Sequence, residues 1–392
     1  MVARELEKAF RKARQQETVY RKTPETACEP EKLRAYFDAF FNSEPPGPTP
    51  EELVSPETAC KFIGQLREIS RENEIDCSVP TAEEIEKVLR KMRNGKAASD
   101  IPPELLKYGS YCPALVSELE KILAAIWGNP ANVPKSWGES RLSTLYKNKG
   151  KRSDPSKYRP LSIGSSMCKL AVSLILGRIN SWYNSQISEP QQGFRSNRGC
   201  QDAIYTLKRI HQINERAKKL VYAAFIDLTA AFDTVVRSWL FKSILDRLSP
   251  GQDPKCFTVL QELYKSTSAF LSQDPLKTTF ATTSGVRQGG PESPPLFCLF
   301  MDTVMRQFEV ECEAAGLHGV EINYQIPNSA TSRQERSKQR ASGKTSHLWV
   351  GFADDVSLFF ETQSDLVAGL EILSKLPHRF GLRLSQGRST SS

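Results

Sequence analysis

Two kinds of hydrophobic spacing alternate along the chain, and each is typical of one class of secondary structure. Apolar residues that recur every three or four positions predict amphipathic helices, and short apolar runs bounded by turn residues predict strands. The mixture of the two predicts an α/β fold. Helices are predicted at 81–94, 113–127, 165–186, 199–218, 233–248, 253–265, 292–314 and 364–378. Strands are predicted at 142–146, 221–228, 267–271, 277–284, 321–324 and on both sides of a turn within 347–360.

Three aspartates stand at the ends of apolar strands. The run VYAAFIDL at 221–228 is almost wholly apolar, which predicts a buried strand that ends in Asp227. Asp354 and Asp355 lie between the apolar runs LWVGFA and VSLFF, which predicts a tight turn between two strands. Buried carboxylates are costly unless something positive compensates, and a divalent ion with oxygen ligands would do so. An exposed hairpin turn is the alternative interpretation of the Asp-Asp pair.

Two helix starts carry capping signals. Thr81 followed by Glu84 three residues later predicts a capping box. Asp100, ahead of Pro102 and Pro103, predicts the N-cap of a second, short helix. Both signals predict where a helix begins, independently of its hydrophobic pattern.

Polar and proline-rich stretches divide the chain. Residues 1–22 carry seven basic and three acidic side chains at helical spacing, which predicts a solvated helix, with nucleic-acid contact as the alternative. Residues 42–50 contain four prolines and a glycine and indicate a linker, whereas 31–41 has an apolar face suited to docking. Residues 325–346 are polar and basic, which predicts a disordered or surface insertion.

Composition and charge indicate a globular protein with an anionic partner. The 392 residues are 39% hydrophobic and 25% charged, which excludes a collagen-like or wholly disordered chain. The formal net charge is +8, and residues 141–159 alone hold seven basic side chains and one acidic side chain. A basic strand and turn of this density favours contact with an anion or a nucleic acid.

The cysteines and the hydropathy of the chain indicate the compartment in which the protein works. The nine cysteines are odd in number and form no C-x-x-C spacing, so they give no disulfide framework or structural zinc site and indicate a reducing compartment. No apolar run reaches the roughly 18 residues of a membrane span, and the charged N-terminus lacks the apolar stretch of a signal peptide. We expect an intracellular location, in the nucleus, the cytoplasm or both.

Five motifs follow one another along the chain: YRPLSIGSSMCKLAVSLILGRI (158–179), QQGFRSNRGCQDAI (191–204), AFIDLTAAFDTV (224–235), GVRQGGPESPPLF (285–297) and FADD (352–355). Their order and types resemble those of reverse transcriptases of non-long-terminal-repeat retrotransposons, a class similar to group II intron polymerases. The upstream segment NGKAASDIPPELLK (94–107) resembles the entry segment of the same family. The resemblance extends over residues 81–384, about three quarters of the chain.

The resemblance implies a metal-dependent catalytic centre. Asp227, Asp354 and Asp355 match the catalytic and metal-binding triad, which holds two Mg²⁺ ions, with Mn²⁺ as a substitute. Asp227 and Asp354 are expected to be the direct ligands. Phe232 matches the bulky side chain that crowds the sugar 2′-position, so deoxynucleotides would be preferred; a core role is the alternative for Phe232.

The resemblance also implies a set of substrate-binding residues. Gln288 matches a glutamine beside the incoming nucleotide, and Gly289 lets the backbone come close to it. Leu228, directly after the first aspartate, is expected at the substrate as well. Arg159 and Arg195 resemble basic residues near the triphosphate, which a guanidinium fork suits; a surface position is the alternative for both.

The architecture that the resemblance implies is a right-hand polymerase. Its fingers would span 81–200, and its palm, an antiparallel sheet backed by helices, would span 201–384. The preceding parts are a basic helix with its proline-rich linker at 1–50 and a helical connecting segment at 51–80; residues 385–392 form a tail. The thumb is expected to be largely missing, with thumb and endonuclease regions on a longer parent polypeptide.

The Gln-Gly motif departs from the family pattern. Pro291 and Glu292 occupy sites where the family prefers apolar side chains. Glu292 is therefore expected to place a negative charge near a site that must accept a polyanion.

The function implied is RNA-directed DNA polymerisation. A primer 3′-hydroxyl would attack a dNTP on an RNA template in a two-metal nucleotidyl transfer, with no membrane involved. One alternative is a catalytically dead or domesticated remnant that only binds RNA or an RNA–DNA hybrid. A second is a metal-dependent phosphohydrolase or an unrelated α/β protein, which predicts no salt-sensitive affinity for nucleic acid.

Overall fold

The computed structural model describes residues 28–42, 65–148, 150–274, 276–326, 341–382 and 384, and they form a mixed α/β fold, as predicted. The predicted helix at 1–22 and most of the predicted linker lie outside these residues. The helices are α1 (Pro30–Asn42), α2 (Ala82–Lys91), α3 (Pro103–Gly109), α4 (Pro113–Gly128), α5 (Ser166–Gln186), α6 (Cys200–Arg216), α7 (Arg237–Leu245), α8 (Lys255–Lys265), α9 (Ser293–Ala314) and α10 (Gln363–Arg379). The strands are β1 (Glu139–Tyr146), β2 (Tyr158–Ile163), β3 (Tyr222–Ile226), β4 (Ser268–Leu271), β5 (Phe280–Ala281), β6 (Val320–Ile326), β7 (Ala341–His347), β8 (Trp349–Phe352) and β9 (Asp355–Phe360).

The chain forms two compact units, each built from separate segments. Of the described residues, the first unit contains 28–42, 65–186 and 232–297, and the second contains 187–231 and those from 298 onward. The fingers and palm boundaries at 81–200 and 201–384 stay a prediction.

The first unit contains a four-stranded sheet in the order β2-β1-β4-β5. β1 pairs antiparallel with β2 and parallel with β4, and β4 pairs antiparallel with β5. Helix α1 packs against this sheet, because Phe37 and Phe41 on its apolar stripe are buried in one cluster with Leu142 and Leu271. The docking face predicted at 31–41 is thereby confirmed.

The capping box predicted at the start of α2 is present. The Thr81 hydroxyl accepts a hydrogen bond from the Glu84 backbone N–H at 3.3 Å, and the Glu84 carboxylate accepts one from the Thr81 N–H at 3.0 Å. Helix α2 ends at Lys91 rather than at Asn94, and Gly95 takes the left-handed backbone conformation (φ 73°) in the turn that follows.

Replacing Thr81 with alanine is expected to lower the free energy of unfolding by about 1 kcal/mol, because the N3 amide of α2 loses its acceptor. Urea denaturation followed by circular dichroism measures this change. Ser117→Ala, which removes a hydroxyl from an exposed position inside α4, is the matched control and should not destabilise the protein. Equal losses in both variants would contradict the capping role.

The prediction that Asp100 caps the short helix α3 is wrong. The N-cap of α3 is Pro102, which offers no side-chain acceptor. Asp100 accepts hydrogen bonds from the Ser166 backbone N–H at 2.7 Å and from the Ser165 hydroxyl at 2.5 Å. It therefore satisfies the first amide of α5, more than sixty residues away, a contact that local sequence does not encode.

The second unit contains a three-stranded antiparallel sheet in the order β3-β9-β8. Helix α6 packs on one face, with Ile210 beside Val350 and Phe359, and the opposite face lies against α9 and α10. The predicted burial of β3 is wrong, since one face is exposed, with Phe225 at 76%, and the other face is only half-buried. The reason is that β3 is an edge strand and α6 packs over β8.

The second unit also contains the hairpin of β6 and β7, in which Val320 pairs with His347 and Ile326 with Ala341. The prediction of a disordered or surface insertion at 325–346 is therefore wrong as to disorder for 325–326 and 341–346. Residues 327–340 lie outside the described part. Among the described helices, none has both the length and the apolar character needed to cross a bilayer.

Candidate active site

The register of β3 and β9 brings two of the predicted catalytic aspartates to the same end of one sheet. Ile226 pairs with Val356, so Asp227 comes directly after the end of β3 and Asp355 is the first residue of β9. Directly opposed residues of an antiparallel pair lie on the same face. Extending the register by one residue would therefore set Asp227 opposite Asp355, and both are exposed.

Asp354 lies in the turn between β8 and β9. The Phe352–Asp355 pair closes this hairpin, and Ala353 has a positive φ of 58°, which lets the chain reverse within two residues. Asp354 is half-buried. The predicted tight turn between two apolar strands is thus confirmed.

The donor chemistry at this end of the sheet suits a hard divalent ion, because all three side chains are carboxylates. Within the described ranges, however, no group of three or more His, Cys, Asp or Glu side chains is gathered closely enough to hold a metal ion. The shared metal-binding role of the three aspartates therefore stays a prediction.

Gln191, to which the sequence assigned no role, fixes the backbone directly before Asp354. Its carboxamide oxygen accepts from the Ala353 N–H at 2.8 Å, and its amide nitrogen donates to the Ala353 carbonyl at 3.1 Å. The same oxygen accepts from Gly193 N–H at 2.9 Å, and the Gln191 side chain is fully buried. A Cβ on Gly193 would come within 2.4 Å of the Ala353 nitrogen, so only glycine fits this approach. In the sequence, the one indication of a role for Gln191 was its position at the start of the 191–204 motif.

Replacing Gln191 with leucine is expected to lower the free energy of unfolding by about 2 kcal/mol, because the Ala353 amide and carbonyl lose their partners in a buried site. Urea denaturation of the full chain measures the loss. Gln201→Leu, at an exposed position in the first turn of α6, is the control and should change stability far less. A shift of the same size in the control would overturn this reading of Gln191.

Two further predicted residues of the second unit make internal contacts. Leu228 is 6% exposed, forms a backbone bridge with Leu384 and lines an apolar cavity. Because its side chain is buried, any contact with the substrate would be made by its backbone. The Arg195 side chain is 8% exposed; its guanidinium donates to the Ser188 carbonyl at 3.1 Å and pairs with Glu189 at 3.3 Å. Its predicted role at the triphosphate stays a prediction.

The Gln-Gly loop belongs to the first unit and is fixed against β2. The Gln288 carbonyl accepts from the Ser162 N–H at 2.7 Å. Gly289 has a φ of 112°, and a Cβ there would come within 2.7 Å of the Ser162 carbonyl oxygen. Glycine is therefore required at 289 by conformation and by space.

Around Gln288 the first unit gathers one buried acid and two cations. The Gln288 amide nitrogen donates to the Asp233 carboxyl at 2.6 Å, and Asp233 is 5% exposed. Burial raises the pKa of Asp233 to about 7, although Lys147 and Arg159 act in the opposite direction. Burial, together with the charge of Arg159, lowers the pKa of Lys147. Arg159 itself is exposed on β2, and both cations act electrostatically on Asp233, the hydrogen-bond partner of Gln288.

Phe232 fits both of its interpretations. Its ring stacks on Phe297 with centroids 4.2 Å apart and planes 16° apart, which is core packing within the first unit. It is nevertheless only half-buried, so part of the residue faces outward. The steric role stays a prediction.

Glu292, expected near the polyanion, carries its charge inside the first unit. Its side chain is 1% exposed and accepts from Arg287 at 2.8 Å and from the Tyr264 hydroxyl at 3.0 Å. Arg287 also donates to the Trp137 carbonyl at 2.9 Å. Burial and the nearby Glu292 charge raise the pKa of Tyr264, so this phenol stays protonated and continues to donate. The departure from the family pattern thus creates an internal ion pair.

Comparison with known families identifies the class. A model described as "Reverse transcriptase (RNA-dependent DNA polymerase)" matches residues 146–391, more than half of the chain. The chain therefore belongs to the reverse transcriptase family, as the five motifs predicted.

Individual relatives agree with the retrotransposon subclass. The chain is 28% identical over 233 residues to the "Retrovirus-related Pol polyprotein from type-2 retrotransposable element R2DM" of Drosophila melanogaster, covering 59% of this chain. It is 25% identical over 252 residues to the "RNA-directed DNA polymerase from mobile element jockey" of the same species, covering 63% of this chain. The matches span only 19% and 27% of those two relatives' lengths.

Proposed function

We propose that this chain catalyses RNA-directed DNA synthesis, adding deoxynucleotides to a primer 3′-hydroxyl on an RNA template. The observation that carries the proposal is the position of Asp227 and Asp355 beside the last pair of β3 and β9, in a chain of the reverse transcriptase family. Exposed carboxylates at one end of a sheet can receive both metal ions and a nucleic-acid end.

The carboxylates are the residues that would hold the metal ions. Asp227 and Asp354 would be the direct ligands of two Mg²⁺ ions, and Asp355 would complete the negative site; Mn²⁺ could substitute. The chemistry that such ions would supply there is activation of the primer hydroxyl and compensation of the negative charge on the pyrophosphate leaving group. The Gln191 hydrogen bonds to Ala353 hold the turn that presents Asp354.

Residues of the first unit bind the nucleotide. Lys147 and Arg159, two cations of the β1–β2 hairpin, neutralise the triphosphate. The charge of each lowers the pKa of Asp233, the partner of Gln288, which supports a position close to the nucleotide. Phe232 leaves no room for a 2′-hydroxyl, and Gln288 lies beside the incoming deoxynucleotide.

The proposed architecture is a right-hand polymerase whose fingers span 81–200 and whose palm spans 201–384. The first unit carries the basic hairpin, which contacts the RNA template through its phosphates without reading sequence. The second unit carries the three-stranded sheet of the palm. The two relatives are several times longer than the matched region, and we propose that this polymerase region works with endonuclease and thumb regions of a longer polypeptide.

Primer extension on poly(A)/oligo(dT) with dTTP and Mg²⁺ tests the proposal. We expect extended products that disappear on chelation, and hybrid affinity that falls steeply as salt rises, because phosphate contacts release counterions. Salt-sensitive hybrid binding without extension would replace the proposal with that of a binding-only remnant. The absence of both extension and salt-sensitive binding would contradict the polymerase proposal and the binding-only alternative alike.

A further inference from the structure

We infer that Asp233 is a positioning residue that holds the Gln288 carboxamide in one orientation, so that Gln288 offers its oxygen to a hydrogen-bond donor of the incoming deoxynucleotide. The catalytic consequence rests on the proposed function; the contact itself does not. Asp233 would act through Gln288 and would not touch the substrate.

The contact between the two side chains is direct and sheltered. The Gln288 Nε2 atom donates to Asp233 Oδ2 at 2.6 Å, and Asp233 is 5% exposed. A carboxylate only accepts hydrogen bonds, whereas a carboxamide has one donating and one accepting end. The ionised form of Asp233, which the charges of Lys147 and Arg159 favour, therefore selects the orientation in which Nε2 faces it and Oε1 is left for another partner.

The backbone on both sides of the contact is fixed, so the pair is not a chance meeting of mobile side chains. The Val286 N–H donates to the Phe232 carbonyl and the Gly285 N–H donates to the Val235 carbonyl, both at 2.8 Å. A Cβ on Gly285, which has a φ of 76°, would come within 2.5 Å of the Asp233 carbonyl oxygen. The segment that carries Asp233 is thus locked against the segment that leads to Gln288.

The charges around Asp233 explain why a carboxyl group tolerates this buried position. Burial raises its pKa to about 7, and Lys147, Arg159 and the hydrogen bond from Gln288 oppose that rise. The two cations belong to the basic β1–β2 hairpin, to which the triphosphate is assigned. One acid thereby joins the glutamine that contacts the nucleotide to the cations proposed to contact its phosphates.

A double-mutant cycle in the full chain tests the inference. Asp233→Leu removes the acceptor, Gln288→Met removes the carboxamide, and the double variant combines them. We expect Asp233→Leu to raise the KM for dTTP about tenfold, the effect of losing one hydrogen bond, with a smaller change in kcat. In the Gln288→Met background, Asp233→Leu should raise KM no further. Additive effects of the two substitutions would overturn the inference.

The conservative variant Asp233→Asn guards against a folding defect, with thermal unfolding measured on every variant. Its side-chain oxygen can still accept from Nε2, so we expect its KM to lie between those of the wild type and Asp233→Leu. If Asp233→Asn and Asp233→Leu raise KM equally although both are folded, the orientation role is wrong.

A spectroscopic readout separates failure of this inference from failure of the proposed function. In a chain with ¹⁵N-labelled glutamine, the Gln288 side-chain amide signal is identified by its loss in Gln288→Met. We expect that signal to move upfield in Asp233→Leu, because a hydrogen bond to a carboxyl is lost, while the signal of exposed Gln201 stays in place. If the wild type extends no primer but the Gln288 signal moves in Asp233→Leu, only the proposed polymerase function is refuted. An unmoved signal refutes the positioning contact whether or not the chain is active.

Discussion

Asp354→Ala is expected to reduce primer extension about 10³-fold, the size of effect seen when preorganised stabilisation of transition-state charge is removed. The physical reason is that a proposed metal ligand at the turn between β8 and β9 disappears. The positive charge of the ion that it would hold is then missing where negative charge develops on the pyrophosphate. Asp227→Ala should have an effect of the same order. Single-turnover extension of poly(A)/oligo(dT) measures both.

Two controls make the Asp354 result specific. Glu371→Ala removes an exposed carboxylate from α10, in the same unit, and should leave extension unchanged. The hybrid affinity of Asp354→Ala should stay close to that of the wild type, because no Lys or Arg side chain is lost. Activity in Asp354→Ala equal to that of the wild type would remove the triad from the mechanism.

Glu292→Leu is expected to lower the free energy of unfolding by about 3–5 kcal/mol, because it leaves the buried Arg287 guanidinium without its counter-ion. The pair is 2.8 Å apart, with side-chain exposures of 9% and 1%. Adding Arg287→Met should recover a large part of the loss, since the uncompensated charge is then gone. Urea denaturation of the two single variants and the double variant measures the coupling.

An exposed ion pair supplies the matched control for the buried one. Lys121 and Glu118 are 2.8 Å apart on α4, but their side chains are 68% and 66% exposed. Glu118→Leu should therefore cost at most about 0.5 kcal/mol. A Glu292→Leu cost that is no larger, or a double variant whose loss equals the sum of the single losses, would contradict the buried-pair argument.

Local patterns predicted most of the secondary structure. The capping box at Thr81 needs only four consecutive residues, and the periodicity of 113–127 and 364–378 is carried within one helix each; all three were confirmed. Errors arose where a partner lay far away in sequence. Asp100 has a capping residue's chemistry, but it caps α5 because tertiary packing brings Ser166 to it.

The candidate site likewise combines features that the local sequence predicts with contacts between residues far apart in the sequence. The motifs predicted the family, and apolar strands that end in acids predicted the hairpin around Asp354. Sequence did not indicate that Gln191 holds Ala353, 162 residues away, or that Asp233 accepts from Gln288, 55 residues away. Neither residue stands out by type, since glutamine and aspartate are usually solvated surface residues.

By itself the sequence determined the mixed α/β class, the reverse transcriptase family and the aspartates at the ends of apolar strands, because periodicity and motif order are properties of neighbouring residues. Only the tertiary structure decided that one face of β3 is exposed, that Glu292 is paired inside the first unit, and that the pKa of Asp233 rises to about 7. Burial and the distance between charges govern those three outcomes, and both are set by how distant segments pack against one another.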